Sequence, residues 1–339
     1  MRNVLKAMIA SGLCLAALPL KAETLNVSGI YPAGNDAAAE LNTIAVEPFG
    51  GVDGPTLSLA LEDRLRNVSI EGEPYFQVLP SSFASGAEGD VDAVLRGTVT
   101  TRTSTERSYP KKDKKCVARN DKGKCTEKVE IEIPCRTLNV YIQPRLRLVG
   151  RRGELIHSEN PSIEQEQRYC RDEEKPFADP MIEEALSDFV RSIRYEFAPV
   201  QRTEGIRLLE ARKGMKGEPR KAFRNAIKLT KSDPLQACLN FEALQESLGE
   251  HVSLLYNLGL CAESDGDFEA ATLFYDRALL ADPKKSLSQQ GLNRIAARAR
   301  ADIQLAAHYG PVEALEPEAE TDANSGAEAD SDAAPAPAS

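Results

Sequence analysis

The sequence has no tryptophan and only three histidines, His157, His251 and His308, which stand far apart along the chain. A Ser/His/Asp or Cys/His arrangement would have to be assembled wholly by tertiary proximity. No Gly-x-Ser-x-Gly elbow is present. Gly50-Gly51 is not followed by the Gly-Lys-Ser/Thr of a phosphate-binding loop. No Cys-x-x-Cys pair occurs, so zinc-ligand spacing is missing. Asp265, Asp267 and Glu269 alternate around Gly266, but not at EF-hand spacing. These absences read as a non-enzymatic chain with no catalytic, cofactor or metal residues; an enzyme whose site is not visible in sequence is the less favoured alternative.

Long apolar runs are scarce as well. Beyond the N-terminus none approaches the ~20 residues a membrane helix needs. At the N-terminus, Arg2 and Lys6 precede an apolar core from Ala7 to Leu20, and Leu20-Lys21-Ala22 ends it on a small residue. That pattern describes a secretory signal in 1–22, cleaved after Ala22. Leu13 before Cys14 does not fit a lipoprotein signal. The mature chain is expected in the periplasm, with no transmembrane span.

Positive charge is not in excess. The formal net charge is -10, and removing Arg2, Lys6 and Lys21 with the leader makes it more negative. Eight acids and no base lie in the tail (Glu313, Glu316, Glu318, Glu320, Asp322, Glu328, Asp330, Asp332). The part before it carries ordinary solubility charge, which argues against a nucleic-acid partner.

Six cysteines remain after cleavage, an even number that suits disulfides in an exported chain. Cys116 and Cys125 are symmetric about a turn at Asn120-Asp121. Cys135 and Cys170 are symmetric about Gly150-Arg151-Arg152-Gly153. Those two symmetries predict Cys116–Cys125 and Cys135–Cys170. Elimination leaves Cys238–Cys261, with two buried free thiols as the alternative.

The fold class read from the chain is α+β: an N-terminal mixed α/β sheet domain over 23–200, then an all-α module over 221–310. Residues 201–220, with Gly214, Gly217 and Pro219, read as a linker. Residues 311–339 are an acidic Ala/Pro tail too polar to order itself. In the first domain Leu138, Val140, Ile142, Leu146 and Leu148 alternate with polar residues, a half-buried strand. Pro144 interrupts its ladder, which predicts an edge or a bulge. Residues 180–197 form an amphipathic helix. The succession "IAVEPFGG", "GPTLSLALEDRL", "FQVLP", "DAVLRGTVT" and "LRLVGRRGELI" resembles the group of envelope proteins that includes CsgG, LpoB and the N-terminal domain of TolB. The resemblance implies a helix-backed sheet and a role in envelope assembly or scaffolding. A cysteine-closed basic hairpin at 106–128 departs from that pattern.

The run VSLLYNLGLCAESDGDFEAATLFYDRALLADPKK, residues 252–285, resembles one tetratricopeptide repeat. Its signature residues are Leu255, Leu258, Gly259, Gly266, Ala271, Tyr275, Ala278 and Pro283. Counting back one period, Ala237 and Phe241 match a degenerate repeat, and 286–307 reads as a solvating cap helix. About two repeats is fewer than such arrays need to stand alone, so the module should lean on the first domain or on a partner. The resemblance implies a protein-binding groove at Ser253, Tyr256, Leu260 and Glu263 with Asn257 beside them, or else a neighbouring helix covering it. A second surface is the hairpin, where Lys111, Lys112, Lys114, Lys115, Arg119, Lys122 and Lys124 could meet anionic lipid or glycan. The functional expectation is a scaffold that binds envelope proteins through the groove. The runner-up is an envelope-surface adaptor that uses the hairpin.

Overall fold

The computed structural model describes residues 23–79, 91–284 and 286–310; the expected leader and tail lie outside them. The first core is built on a six-stranded sheet. β2 (Thr43–Val46) lies parallel between β5 (Gln77–Leu79) and β6 (Ala93–Arg119). β6 then pairs antiparallel with β7 (Cys125–Gly150), whose far edge is shared by β8 (Leu155–Glu159) and β9 (Ile163–Cys170). α2 (Gly54–Arg66) and α3 (Ala178–Phe197) cover one face. Leu57, Leu61 and Leu65 of α2 and Ala185, Leu186, Phe189 and Ile193 of α3 recur at helical spacing and are buried there. A small ribbon, β3 (Ser69–Ile70) with β4 (Glu73–Pro74), joins α2 to β5.

Two local features follow directly from residue chemistry. Gly51 sits at φ +96°, and a Cβ there would lie 2.0 Å from the Val99 carbonyl, so the turn into α2 needs glycine. β7 is an interior strand, not the edge that Pro144 suggested. Val99, opposite Pro144, turns its N–H to the Gly50 carbonyl and away from β7. The missing Pro144 donor therefore points at the gap between β8 and β9, where the ladder has no partner to lose.

The second core is helical: α4 (Gly217–Leu229), α5 (Pro234–Glu242), α6 (Gln245–Leu248), α7 (Val252–Asp265), α8 (Phe268–Ala281) and α9 (Ser286–Tyr309). α7 and α8 form an antiparallel hairpin. Gly266 caps α7 in the left-handed region at φ +85°, and the Asp267 side chain accepts from the Ala270 N–H to start α8. Tyr275 fills the hairpin between two glycines: a Cβ at Gly259 or Gly291 would come within 2.7 or 2.4 Å of its ring.

The expected linker at 201–220 is not one. Val200–Arg207 is a strand, β10, paired antiparallel over eight residues with β1 (Thr24–Tyr31). This ribbon belongs to the helical core, since Leu25, Val27, Leu208 and Met215 are buried among its helices. The C-terminal helix crosses the other way. Gln304 of α9 accepts from the Ala33 N–H at 2.8 Å and donates to its carbonyl at 3.2 Å. Arg300 pairs with Asp36 of α1 (Asp36–Ala39) at 2.8 Å, and His308 stacks on Tyr75 at 3.8 Å. The Gln304 hydrogen bond, and after it that of Arg300, holds the Asp36 carboxyl below its ordinary value. α9 is thus a clasp between the two cores and not only the solvating cap its composition suggested. The boundary expected at residue 200 is bridged at both ends of the chain.

Candidate functional site

The five residues expected to line a groove on α7 are all sealed. Ser253, Tyr256, Asn257, Leu260 and Glu263 have at most 1% of their surface exposed. The covering element is the chain's own ribbon and loop. The Tyr256 hydroxyl donates to the Arg207 carbonyl at 3.0 Å. Asn257 accepts from the Leu209 N–H at 2.9 Å and donates to its carbonyl at 3.0 Å, as an added peptide strand would require. Burial pushes the Tyr256 hydroxyl up to about 12. Glu263 turns inward to accept from the Tyr275 hydroxyl at 2.6 Å and from Arg294 at 2.9 and 2.7 Å, with Arg298 at 3.6 Å. The groove expectation is therefore corrected: a partner meets these residues only if β10 and the loop after it leave and, at Glu263, α9 as well.

The basic hairpin is the opposite case. β6 and β7 run on together after β9 ends at the Cys135–Cys170 register position. From Ser108 to Arg119 the two strands form a free ribbon ~35 Å long. No residue between 100 and 134 belongs to either core. A two-stranded ribbon alone is marginal in water, so its supports matter. Cys116–Cys125 closes it near the tip with Cα atoms 5.9 Å apart, and Cys135–Cys170 fastens the root. At the root Lys111 reaches Asp172 at 3.1 Å and Glu173 at 3.0 Å, which raises the lysine and lowers both carboxyls. The tip turn is held by Asn120, whose side-chain oxygen accepts from the Lys122 and Lys124 N–H groups.

These contacts divide the seven expected surface residues. Lys111 is a root contact, Lys112 pairs with Glu130 at 3.2 Å, and Arg119 donates to the Gly123 carbonyl. Lys114, Lys115, Lys122 and Lys124 form no ion pair among the described residues, and neither does Lys128. The free positive charge thus gathers at the tip. Beside it Val117 is 52% exposed, and at the root Tyr109 is 88% exposed.

Two surfaces were not read from the sequence. A shallow trough of about 450 Å³ lies over the third disulfide, Cys238–Cys261, between α5 and the α7–α8 hairpin. Leu235 and Leu239 line it, one turn apart on α5, beside Phe274, with Glu242, Asp265 and Asp267 at the rim. That i, i+4 leucine pair was its only sequence signal. The other surface is a group of arginines on the outward face of the sheet. Among the described residues the one grouping of metal-ligand type is Cys170, Asp172 and Glu173; its sulfur is in a disulfide and its carboxylates sit on Lys111.

No protein-family model matches the chain, and no curated protein matches it. Among solved structures it is similar to a dodecameric PelC variant from Paraburkholderia phytofirmans, at 11% identity and a TM-score of 0.24, over 50% of this chain and 98% of that one. A second PelC dodecamer from the same organism gives 11% identity and 0.23, over 49% and 96%. Rare lipoprotein B from Shewanella oneidensis gives 14% identity and 0.23, over 45% and 90%. Likenesses at this level leave function to be argued from the chain's own surfaces.

Proposed function

We propose that the chain is an exported, non-enzymatic adaptor of the bacterial envelope that touches an anionic surface with the tip of its disulfide-stapled arm. The observation that carries this reading is the arm itself. A ribbon that adds nothing to either core is fastened by two disulfides and presents unpaired lysines at its far end. A structural role gives no reason for such a ribbon; a contact role does. Three disulfides favour an oxidising compartment and so the periplasm. The tyrosines pushed upward by burial, Tyr75, Tyr256 and Tyr275, hold structural contacts and do not converge on an open cavity, which favours binding over catalysis.

The tetratricopeptide reading of 252–285 remains part of this proposal, in changed form. The paired helices and the small residues around Tyr275 support it. The groove such modules offer to partners is taken here by β10, so the helical core acts as the arm's rigid base. A protein partner on this core would meet the trough at Leu235 and Leu239.

The test is co-sedimentation with vesicles containing anionic lipid. The full chain should bind at low salt and lose binding several-fold as the Debye length falls from ~10 to ~3 Å. Replacing Lys114, Lys115, Lys122, Lys124 and Lys128 by glutamine should abolish binding and leave the melting temperature unchanged. Binding that survives both changes would refute the arm as the contact.

A further inference from the structure

The outward face of the sheet concentrates arginine where the ladder gains nothing from it. Arg96 of β6 lies directly opposite Arg147 of β7, and Thr98 opposite Arg145. Arg145 and Arg147 are two residues apart on one strand and share a face. All three are exposed. Like charges placed opposite each other across a ladder destabilise it. Among the described residues Glu47 lies 3.8 Å from Arg96, and Glu159, which also lines this face, pairs with His157; Arg145 and Arg147 form no ion pair. They border an open depression of about 730 Å³ with Ser158 and Asn160. Guanidiniums that weaken their own sheet, in a chain of net charge -10, call for an anionic occupant.

The chain carries one. Residues 313–332 hold eight acids and no base. The described C-terminus, Gly310, follows α9 directly, and α9 ends at the edge of the sheet where β5 and β6 begin. His308 stacks there on Tyr75 and sits edge-on to Phe76, the two residues before β5. From Asp92, the residue before β6, Arg96 is ~13 Å along the strand and Arg145, opposite Thr98, ~20 Å. The segment from Gly310 to residue 332 can extend ~70 Å, enough to round the end of the sheet and cross that face. The arm tip at Arg119 is ~90 Å along the same strand and out of reach of the acids. Charge alone would allow either surface; the arm's Lys114 and Lys115, ~75 Å along the strand, need a tail drawn out to its full length, whereas the arginines need ~20 Å, and chain length therefore favours the arginines.

We propose that the acidic tail, residues 313–332, docks across Arg96, Arg145 and Arg147. It neutralises the opposed arginine pair and screens this face from other polyanions. Tethering keeps its carboxylates at an effective concentration in the millimolar range, so the individual contacts can be weak.

Arginine modification by phenylglyoxal, read by peptide mass spectrometry, tests this on the full-length chain. The comparison is a full-length variant in which the eight tail acids are replaced by their amides, a change that touches neither core. At low salt Arg145 and Arg147 should react several-fold more slowly in the native chain, while Arg119 at the arm tip reacts equally in both. The difference should vanish at a Debye length of ~3 Å. In the reverse experiment, Arg145→Gln with Arg147→Gln should speed cleavage of the tail by a glutamate-specific protease. Equal reactivity of Arg145 and Arg147 in both chains would overturn the proposal. Slowing at Arg119 in their place would also overturn it, by putting the tail on the arm.

Discussion

Glu263→Ala is expected to destabilise the helical core by ~3–5 kcal/mol, the range for removing one partner of a buried ion pair. Glu263 is 1% exposed and sits under two guanidiniums, Arg294 and Arg298, of which Arg298 is 2% exposed. Alanine would leave Arg298 in a dry interior, Arg294 unpaired at its margin, and the Tyr275 hydroxyl without its acceptor. Glu263→Gln keeps an acceptor for Tyr275 but not the charge, so its loss should be smaller. In a double-mutant cycle, Glu263→Ala with Arg294→Ala should cost less than the sum of the two single changes, because the second removes a charge the first left unpaired. Urea unfolding of the full chain measures all four species. A loss below ~1 kcal/mol for Glu263→Ala would mean that Glu263 faces solvent after all, as a groove residue would.

Val27→Asp, more than 220 residues before the α7–α8 hairpin, is expected to cost about as much and to melt the helical core. Val27 is fully buried among residues of that core and not of the sheet that follows it in sequence. A carboxylate there has no partner to compensate its desolvation. The strand is also tied to α7 through the Ser264 hydroxyl, which donates to the Asn26 carbonyl at 2.9 Å. Its loss would free β10 and, with it, uncover Tyr256 and Asn257. Hydrogen exchange should therefore show faster exchange in 252–281, with the amides of β7 between 135 and 150, and of β6 between 93 and 108 opposite them, less affected. Faster exchange confined to the sheet would assign β1 to the wrong core.

Much of the sheet was legible because its signals are local. Period-two alternation from Leu138 to Leu148 marks a strand with one buried face, and Gly150-Arg151-Arg152-Gly153 marks the turn that sets Cys135 opposite Cys170. The α7–α8 hairpin was equally readable from Gly259, Gly266 and Tyr275, because the turn at Gly266 brings Gly259 against Tyr275 within a single short hairpin. What escaped was non-local. β10 is polar at most positions, and its partner lies some 175 residues earlier, so VQRTEGIR carries no alternation to betray it. Tyr256 and Asn257 present the same donors and acceptors whether the strand they hold is foreign or their own. Glu263 looked like a surface acid because acids are seldom buried unless paired; its partners lie on the next two helices, Tyr275 on α8 and Arg294 and Arg298 on α9, beyond any local window. The arm's strands were visible, but its projection depends on where β9 stops.

Because the chain has no tryptophan, one introduced indole reports which surface meets the membrane. Val117→Trp puts it on the exposed side of the arm, and Leu239→Trp puts it in the trough of the helical core; both sites are about half exposed. Each full-length variant would be titrated with anionic and with zwitterionic vesicles while its emission is recorded. A blue shift is expected for the arm variant with anionic vesicles alone, lost at high salt, and no shift for the trough variant. A shift at position 239 with none at 117 would contradict the arm contact and make the helical core the contact surface.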